Sequence, residues 1–252
     1  MSPDTFLFCV AAALAAGFVD AIAGGGGLVT VPALTLAGLD PVSTLATNKL
    51  QSAFGSGSAL RAFARAGQVE AGEARPVAIG AGLGALAGAA LVAHLPLRFL
   101  AAALPAALAL AALYFALSPK LSDVATRPRM GQARFRALVV PLVGFYDGVF
   151  GPGAGSFYML GFVALRGLGA LKATALTKAA NFASNLVALA LLAATGHVWW
   201  SLGLAMGAAQ FVGARLGARA AIRGGAALIR PMLVAICLAV AGKLALGQLG
   251  VL

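Results

Sequence analysis

The residues best suited to do chemistry in this sequence are two lysines, each followed by hydroxyl or amide side chains on one helical face. Lys49, Ser52 and Ser56 stand at i, i+3 and i+7, and Lys178, Asn181 and Asn185 repeat the spacing, with Thr174 one turn earlier. That pattern puts one cation and several hydrogen-bond donors on the same side of each helix. Each lysine is about 8 residues into an apolar segment, hence roughly 12 Å deep at about 1.5 Å per residue. A lysine there could snorkel to the interface, but snorkelling needs no amides or hydroxyls beneath it. A deep cation among donors suits an anion with several oxygens. Asn48, Gln51 and Thr177 flank the stripe as weaker candidates.

A second feature also occurs twice: an Asp inside an apolar run, followed by clustered glycines. Asp20 precedes Gly24, Gly25, Gly26 and Gly27, and Asp147 precedes Gly151, Gly153, Gly155 and Ser156. Glycines at membrane depth break a helix and free backbone N–H groups, which is tolerated where they line a cavity. Free N–H groups at the positive end of a helix form an anion site, and the Ser156 hydroxyl could add a donor. Close packing alone explains isolated glycines but not runs of them. The aspartates could pair with Lys49 and Lys178, cap free N–H groups or carry a coupling proton. A carboxylate beside an anion site repels the substrate unless it is neutralised.

The sequence offers no comparable constellation for enzymatic chemistry. No Ser/His/Asp or Cys/His arrangement is visible, and the glycines lack the strand–helix unit and Lys-[Ser/Thr] of a P-loop. His94 and His197 have no second ligand at metal spacing, and Cys9 and Cys237 are far apart in apolar runs. No metal, cofactor or enzymatic activity is expected.

Such residues need scaffolding, and composition says what kind. The chain has 252 residues, 61% hydrophobic and 10% charged, with a mean hydropathy of +0.96. A soluble domain carries about 25% charged residues, so an all-α polytopic membrane protein is expected. The net charge of +11 falls between apolar runs, as the positive-inside rule requires, rather than in a basic stripe with aromatics, which argues against nucleic acid. The N-terminus lacks the basic region of a signal peptide.

The apolar runs are 6–23, 28–38, 42–64, 76–95 and 97–117, then 136–150, 153–166, 170–195, 198–220 and 226–248. Spanning takes about 20 residues, so 28–38 and 153–166 are too short to cross alone. The second five restart the first. Thr47-Asn48-Lys49 matches Leu176-Thr177-Lys178, Gly67-Gln68-Val69 matches Gly196-His197-Val198, and the Gly84/Gly88 pair matches Gly213/Gly217. These glycine pairs read as helix-packing faces, and Trp199 and Trp200 as an interfacial belt. One transmembrane unit, 1–252, therefore holds repeat one (6–117), a basic linker (118–135) and repeat two (136–248).

Basic residues set the orientation. With the linker cytoplasmic, Arg61, Arg65 and Arg75 fall inside, as do Arg166, Lys172, Arg219, Arg223 and Arg230. The repeats then have opposite orientations and an odd number of crossings each, most simply five, with both termini outside. Inverted repeats with broken helices meeting at the midplane are a transporter architecture. Eight spans in parallel repeats is the rival count.

The Gly-Phe-Val-Asp-Ala-Ile-Ala-Gly-Gly-Gly-Gly opening at 17–27, Pro32 after it, and Thr47-Asn48-Lys49 resemble the TauE/SafE sulfite exporter family and its probable membrane transporter subgroup, over roughly residues 6–248. The resemblance implies a bacterial inner-membrane, multi-pass transporter of sulfite, an organosulfonate or a related organic acid. The second copy departs at Gly151-Pro152-Gly153, leaving the halves unequal. The expected activity is secondary transport of a small anion by alternating access, with an uncoupled anion channel as the alternative. The expected partners are that anion and the lipid bilayer, with a homodimer as a further option.

Overall fold

The computed structural model describes residues 1–92, 95 and 124–248. The fifth run, 97–117, and the linker as far as 123 lie outside the described residues. Among the described residues there is no strand. Half one contains α1 (Pro3–Ala23), α2 (Gly27–Leu36), α3 (Pro41–Arg65) and α4 (Ala71–Val92). Half two begins with a helical turn and a π-helical stretch, Phe135–Val139, beside Pro141, whose ring nitrogen has no N–H to donate. It continues into α5 (Val140–Val149), α6 (Ala154–Arg166), α7 (Ala170–Ala193) and α8 (Trp200–Gln248). Gly225, at φ 51° and ψ −146°, breaks α8, as the boundary between runs 198–220 and 226–248 predicted.

By length and composition, α1, α4 and α7 are long and apolar enough to cross a membrane. The 25-residue α3 has the length but carries the polar stripe. α2 is 10 residues long and turns back along α1: Cys9 lies 3.8 Å from the Ala33 carbonyl and shares a cluster with Leu34. α6 returns along its own predecessor in the same way, stacking Phe162 on Phe135 at 5.0 Å. Each short segment thus closes a hairpin and is not the straight continuation of the preceding helix.

The halves interlock by exchanging partners. α1 packs on the first part of α8, and α5 packs in the same way on α4; α3 lies along α8, and α7 along α4. Small residues permit these contacts. A Cβ at Gly84 would stand 2.1 Å from the Pro141 carbonyl oxygen, and one at Gly213 would stand 2.0 Å from that of Leu14. A Cβ at Gly88 or Gly217 would likewise stand 2.2 Å from the Phe145 or Phe18 carbonyl oxygen. The aligned glycines of the sequence therefore make equivalent contacts in the two helix pairs.

α3 and α8 run in the same direction. Thr47 lies beside Trp199, Phe54 beside Gly207, and the Ser58 hydroxyl donates to the Phe211 carbonyl at 2.9 Å. α4 and α7 also run together, from a Lys172–Glu73 ion pair to Gly82 against Val187. Arg61, Arg65, Arg215 and Arg219 consequently gather at one end, where the α3–α4 connection also lies.

Candidate functional site

The two hairpin tips touch at the centre. The Ser156 N–H donates to the Gly24 carbonyl at 3.1 Å, and its hydroxyl to the Ala23 carbonyl at 2.8 Å. A Cβ at Gly24 would lie 2.5 Å from the Gly155 carbonyl carbon, and one at Gly27 would lie 3.0 Å from Pro152 Cα. Gly24 and Gly151, equivalent in the repeat, are both left-handed, at φ 81° and 86°, where a side chain is strained. The glycines thus serve both close approach and backbone conformation. Gly27 opens α2 and Gly155 is the second residue of α6, in first turns where N–H groups have no acceptor within the helix.

Behind the tips, each lysine reaches the aspartate of the other half. Lys49 Nζ lies 2.5 Å from Asp147 Oδ1 and also donates to the Asp147 carbonyl. Lys178 Nζ lies 3.0 Å from Asp20 Oδ2 and also donates to the Asp20 carbonyl. These main-chain carbonyls lie in the last turns of α1 and α5, so both lysines also stabilise helix C-terminal ends. The lysine side chains are 1% and 0% exposed.

The environments of the aspartates differ. Ser184 donates to Asp147 Oδ2, and that side chain is 3% exposed. Asp20 is 13% exposed, and its Oδ1 accepts the Gly26 N–H at 3.2 Å. Repeat alignment places Gly55 opposite Ser184, so the first half has no matching hydroxyl.

Between tips and pairs is a small polar cavity of about 20 Å³, lined by Asp20, Gly24, Gly27, Asn48, Ser52, Asp147, Gly151, Gly153, Gly155, Asn181 and Asn185. Asn48 Oδ1 accepts from both Thr30 Oγ1 and Gln51 Nε2, each at 2.7 Å, which leaves its NH₂ for the cavity. Asn181 Oδ1 is buried without a partner among the described residues, and a buried acceptor of that kind calls for a ligand or a water. Asn185 Nδ2 donates within α7, to the Asn181 carbonyl at 2.7 Å.

Most of the residues expected from sequence therefore converge, with three differences. Lys49 and Lys178 do not line the cavity, because each is held on a carboxylate. Ser156 ties the two tips together instead of facing inward. Gly25 and Gly26 stand outside the cavity lining. Ser56 donates along its own helix to the Ser52 carbonyl at 2.7 Å, and Thr174 does likewise to Ala170 at 2.8 Å. Sequence reasoning missed Thr30 and Ser184. Neither has a hydroxyl at the equivalent position of the other repeat to draw attention to it.

A helical membrane protein enclosing a polar cavity between two broken-helix hairpins has the build of a transporter. The chain belongs to the sulfite exporter TauE/SafE family, whose model matches residues 9–244. It is 50% identical over 237 residues to the "Probable membrane transporter protein ORF9" of a Sinorhizobium species, covering 94% of this chain and 91% of that protein. It is 44% identical to the "Probable membrane transporter protein YfcA" of Escherichia coli K12, covering 92% and 86%. It is 40% identical to a "Probable membrane transporter protein" of Haemophilus influenzae, covering 96% and 94%. No solved structure matches the chain.

Proposed function

We propose that the protein is a bacterial inner-membrane secondary transporter of a small oxyanion, sulfite or an organosulfonate, working by alternating access between two oppositely oriented halves. The observation that carries this reading is the cavity itself: both hairpin tips and both polar stripes contribute to it. The Asn48 amide, the Ser52 hydroxyl and the N–H groups at Gly27 and Gly155 surround a space suited to anionic oxygens. At about 20 Å³ it has room for roughly one water, so this conformation is closed, and a substrate enters only when the halves separate.

The crossed ion pairs suggest how an anion and a proton travel together. With Asp20 ionised, Lys178 is already neutralised, and an added anion leaves the site with net negative charge. Protonation of Asp20 releases the lysine charge for the anion and keeps the site neutral.

Two measurements test this reading. Thermal shifts of the purified protein with sulfite, sulfate, sulfonates and carboxylates should pick out sulfite or a sulfonate, since a ligand that binds only the folded state raises its stability. Counterflow in proteoliposomes should then show exchange of that anion. Flux without exchange would replace the transporter by an uncoupled channel.

A further inference from the structure

A second polar site stands away from the central cavity, at the basic end of the groove between α3 and α8. It is a pocket of about 300 Å³ into which Arg61 and Arg65 project from α3, and Arg215 and Arg219 from α8. Each pair is spaced i, i+4, so both members fall on the same helix face. No carboxylate lines the pocket, and none of the four arginines forms an ion pair among the described residues. Like charges at that spacing destabilise a helix, yet two such pairs face each other here. The positive-inside rule explains cations at this end of the molecule, but not their convergence on one pocket without a counter-charge.

The repeat supplies an internal control. The corresponding groove between α7 and α4 carries Ala190, Ala194, Leu86 and Ala90 at the equivalent positions. All four arginines belong to one groove, and packing alone does not require them. Beside them on α8 runs an exposed apolar stripe at i, i+4 spacing, Leu204, Ala208, Val212 and Leu216, with Val212 and Leu216 each 51% exposed. The stripe leads away from the arginines along the helix, so charge and apolar surface are arranged end to end.

We propose that this groove binds a phosphate group carried by an anionic phospholipid, with the guanidinium groups on the phosphate oxygens and the acyl chains along the α8 stripe. Arginine suits the task because its planar fork pairs two donors with two phosphate oxygens. Basic pockets between transmembrane helices on the cytoplasmic side recognise such headgroups.

The test uses delipidated full-length protein in non-ionic detergent, titrated separately with phosphatidylglycerol, phosphatidylcholine and inorganic phosphate. Bound lipid is read by native mass spectrometry and stability by thermal melt. Phosphatidylglycerol should bind and raise the melting temperature, phosphatidylcholine should not, and R215Q/R219Q should weaken phosphatidylglycerol binding about tenfold. If inorganic phosphate stabilises the wild type but not the variant, and phosphatidylglycerol is inert, the phosphate site stands with a soluble source. Loss of charge can disturb insertion, so R215K/R219K is the second variant. It keeps the charge and loses the fork, and its affinity should be intermediate. Wild-type affinity for phosphatidylglycerol and phosphate in both double variants would overturn the proposal.

Discussion

Lys49 and Asp147 are 98 residues apart in the chain and in contact at its centre, with Nζ 2.5 Å from Oδ1. Lys178 and Asp20 make the reciprocal contact at 3.0 Å. Each half thus neutralises the other's buried charge, and the two pairs differ mainly in how far water can reach them.

The sealed pair should matter most for stability. Removing one partner of a buried ion pair destabilises by about 3–5 kcal/mol, whereas replacing both by apolar or neutral groups can be nearly neutral. Lys49→Ala should therefore lower the unfolding midpoint strongly, and Lys49→Met combined with Asp147→Asn should recover most of the loss. Denaturation in mild detergent measures both, and a Lys49→Ala protein as stable as wild type would contradict the assignment.

The open pair should matter most for transport. Lys178→Ala is expected to weaken anion binding strongly and Lys178→Arg to restore it only in part, since arginine is larger and forks differently. Lys178→Gln, which keeps donors but no charge, should behave like Lys178→Ala. Asp20→Asn should insert normally while uptake loses its response to an imposed pH gradient. Calorimetry and proteoliposome flux are the readouts. Wild-type binding by all three lysine variants would leave the helix ends and amides as the whole site.

The glycines divide into two groups with separable effects. Gly84→Val and Gly213→Val push side chains into carbonyl oxygens and should each destabilise by about 1–3 kcal/mol or more, seen as a lower melting temperature. Gly24→Ala sets a side chain at φ 81° and 2.5 Å from Gly155, so it should part the hairpin tips and abolish transport while the protein still inserts. Normal flux in Gly24→Ala would show that tip contact is dispensable.

The orientation is tested by labelling. With Cys9 and Cys237 replaced, cysteines at Pro3, Ala125 and Ala227 report three exposed positions. Only the first should react with an impermeant reagent added outside intact cells. External labelling at Ala227 would reverse the second half and remove the inverted repeat.

Asp40 supplies a pH effect outside the spans. It caps α3, accepting N–H groups of Val42 and Ser43 at 3.0 and 3.1 Å. Burial pushes its carboxyl up, but hydrogen bonds from Ser43 and Val42 and the nearby His197 outweigh this and hold it below the usual range. A depressed folded pKa gives stability that is present above the unfolded value, about 3.9, and is lost as pH falls through the folded one. Asp40→Ala should therefore flatten the acid limb of the stability profile and remove roughly 1 kcal/mol of capping at neutral pH. An unchanged limb in acid melts would exclude the effect.

Much of this architecture was legible because the chain states it twice. The offset between Lys49 and Lys178, and between the Gly84 and Gly213 pairs, marked equivalent helices, and glycine runs marked the breaks. What stayed hidden was pairing between halves. Spacing along a helix fixes which face a lysine takes, but not that Lys49 finds Asp147 instead of Asp20 or a substrate. The same limit concealed the four arginines: topology rules placed them on one side, and only the parallel course of α3 and α8 brought them to one pocket.

The exchanged packing has a consequence for biosynthesis. α1 leaves the ribosome first, yet the helix it packs against begins at Trp200 and the lysine for Asp20 is residue 178. Throughout most of translation the first hairpin holds a carboxylate in the bilayer without its cation, and its glycine-lined groove is unfilled. Until the second half arrives, Asp20 has no lysine to neutralise it. Docking of the N-terminal hairpin on its partners is therefore among the later events of folding, although that hairpin is the first to be made.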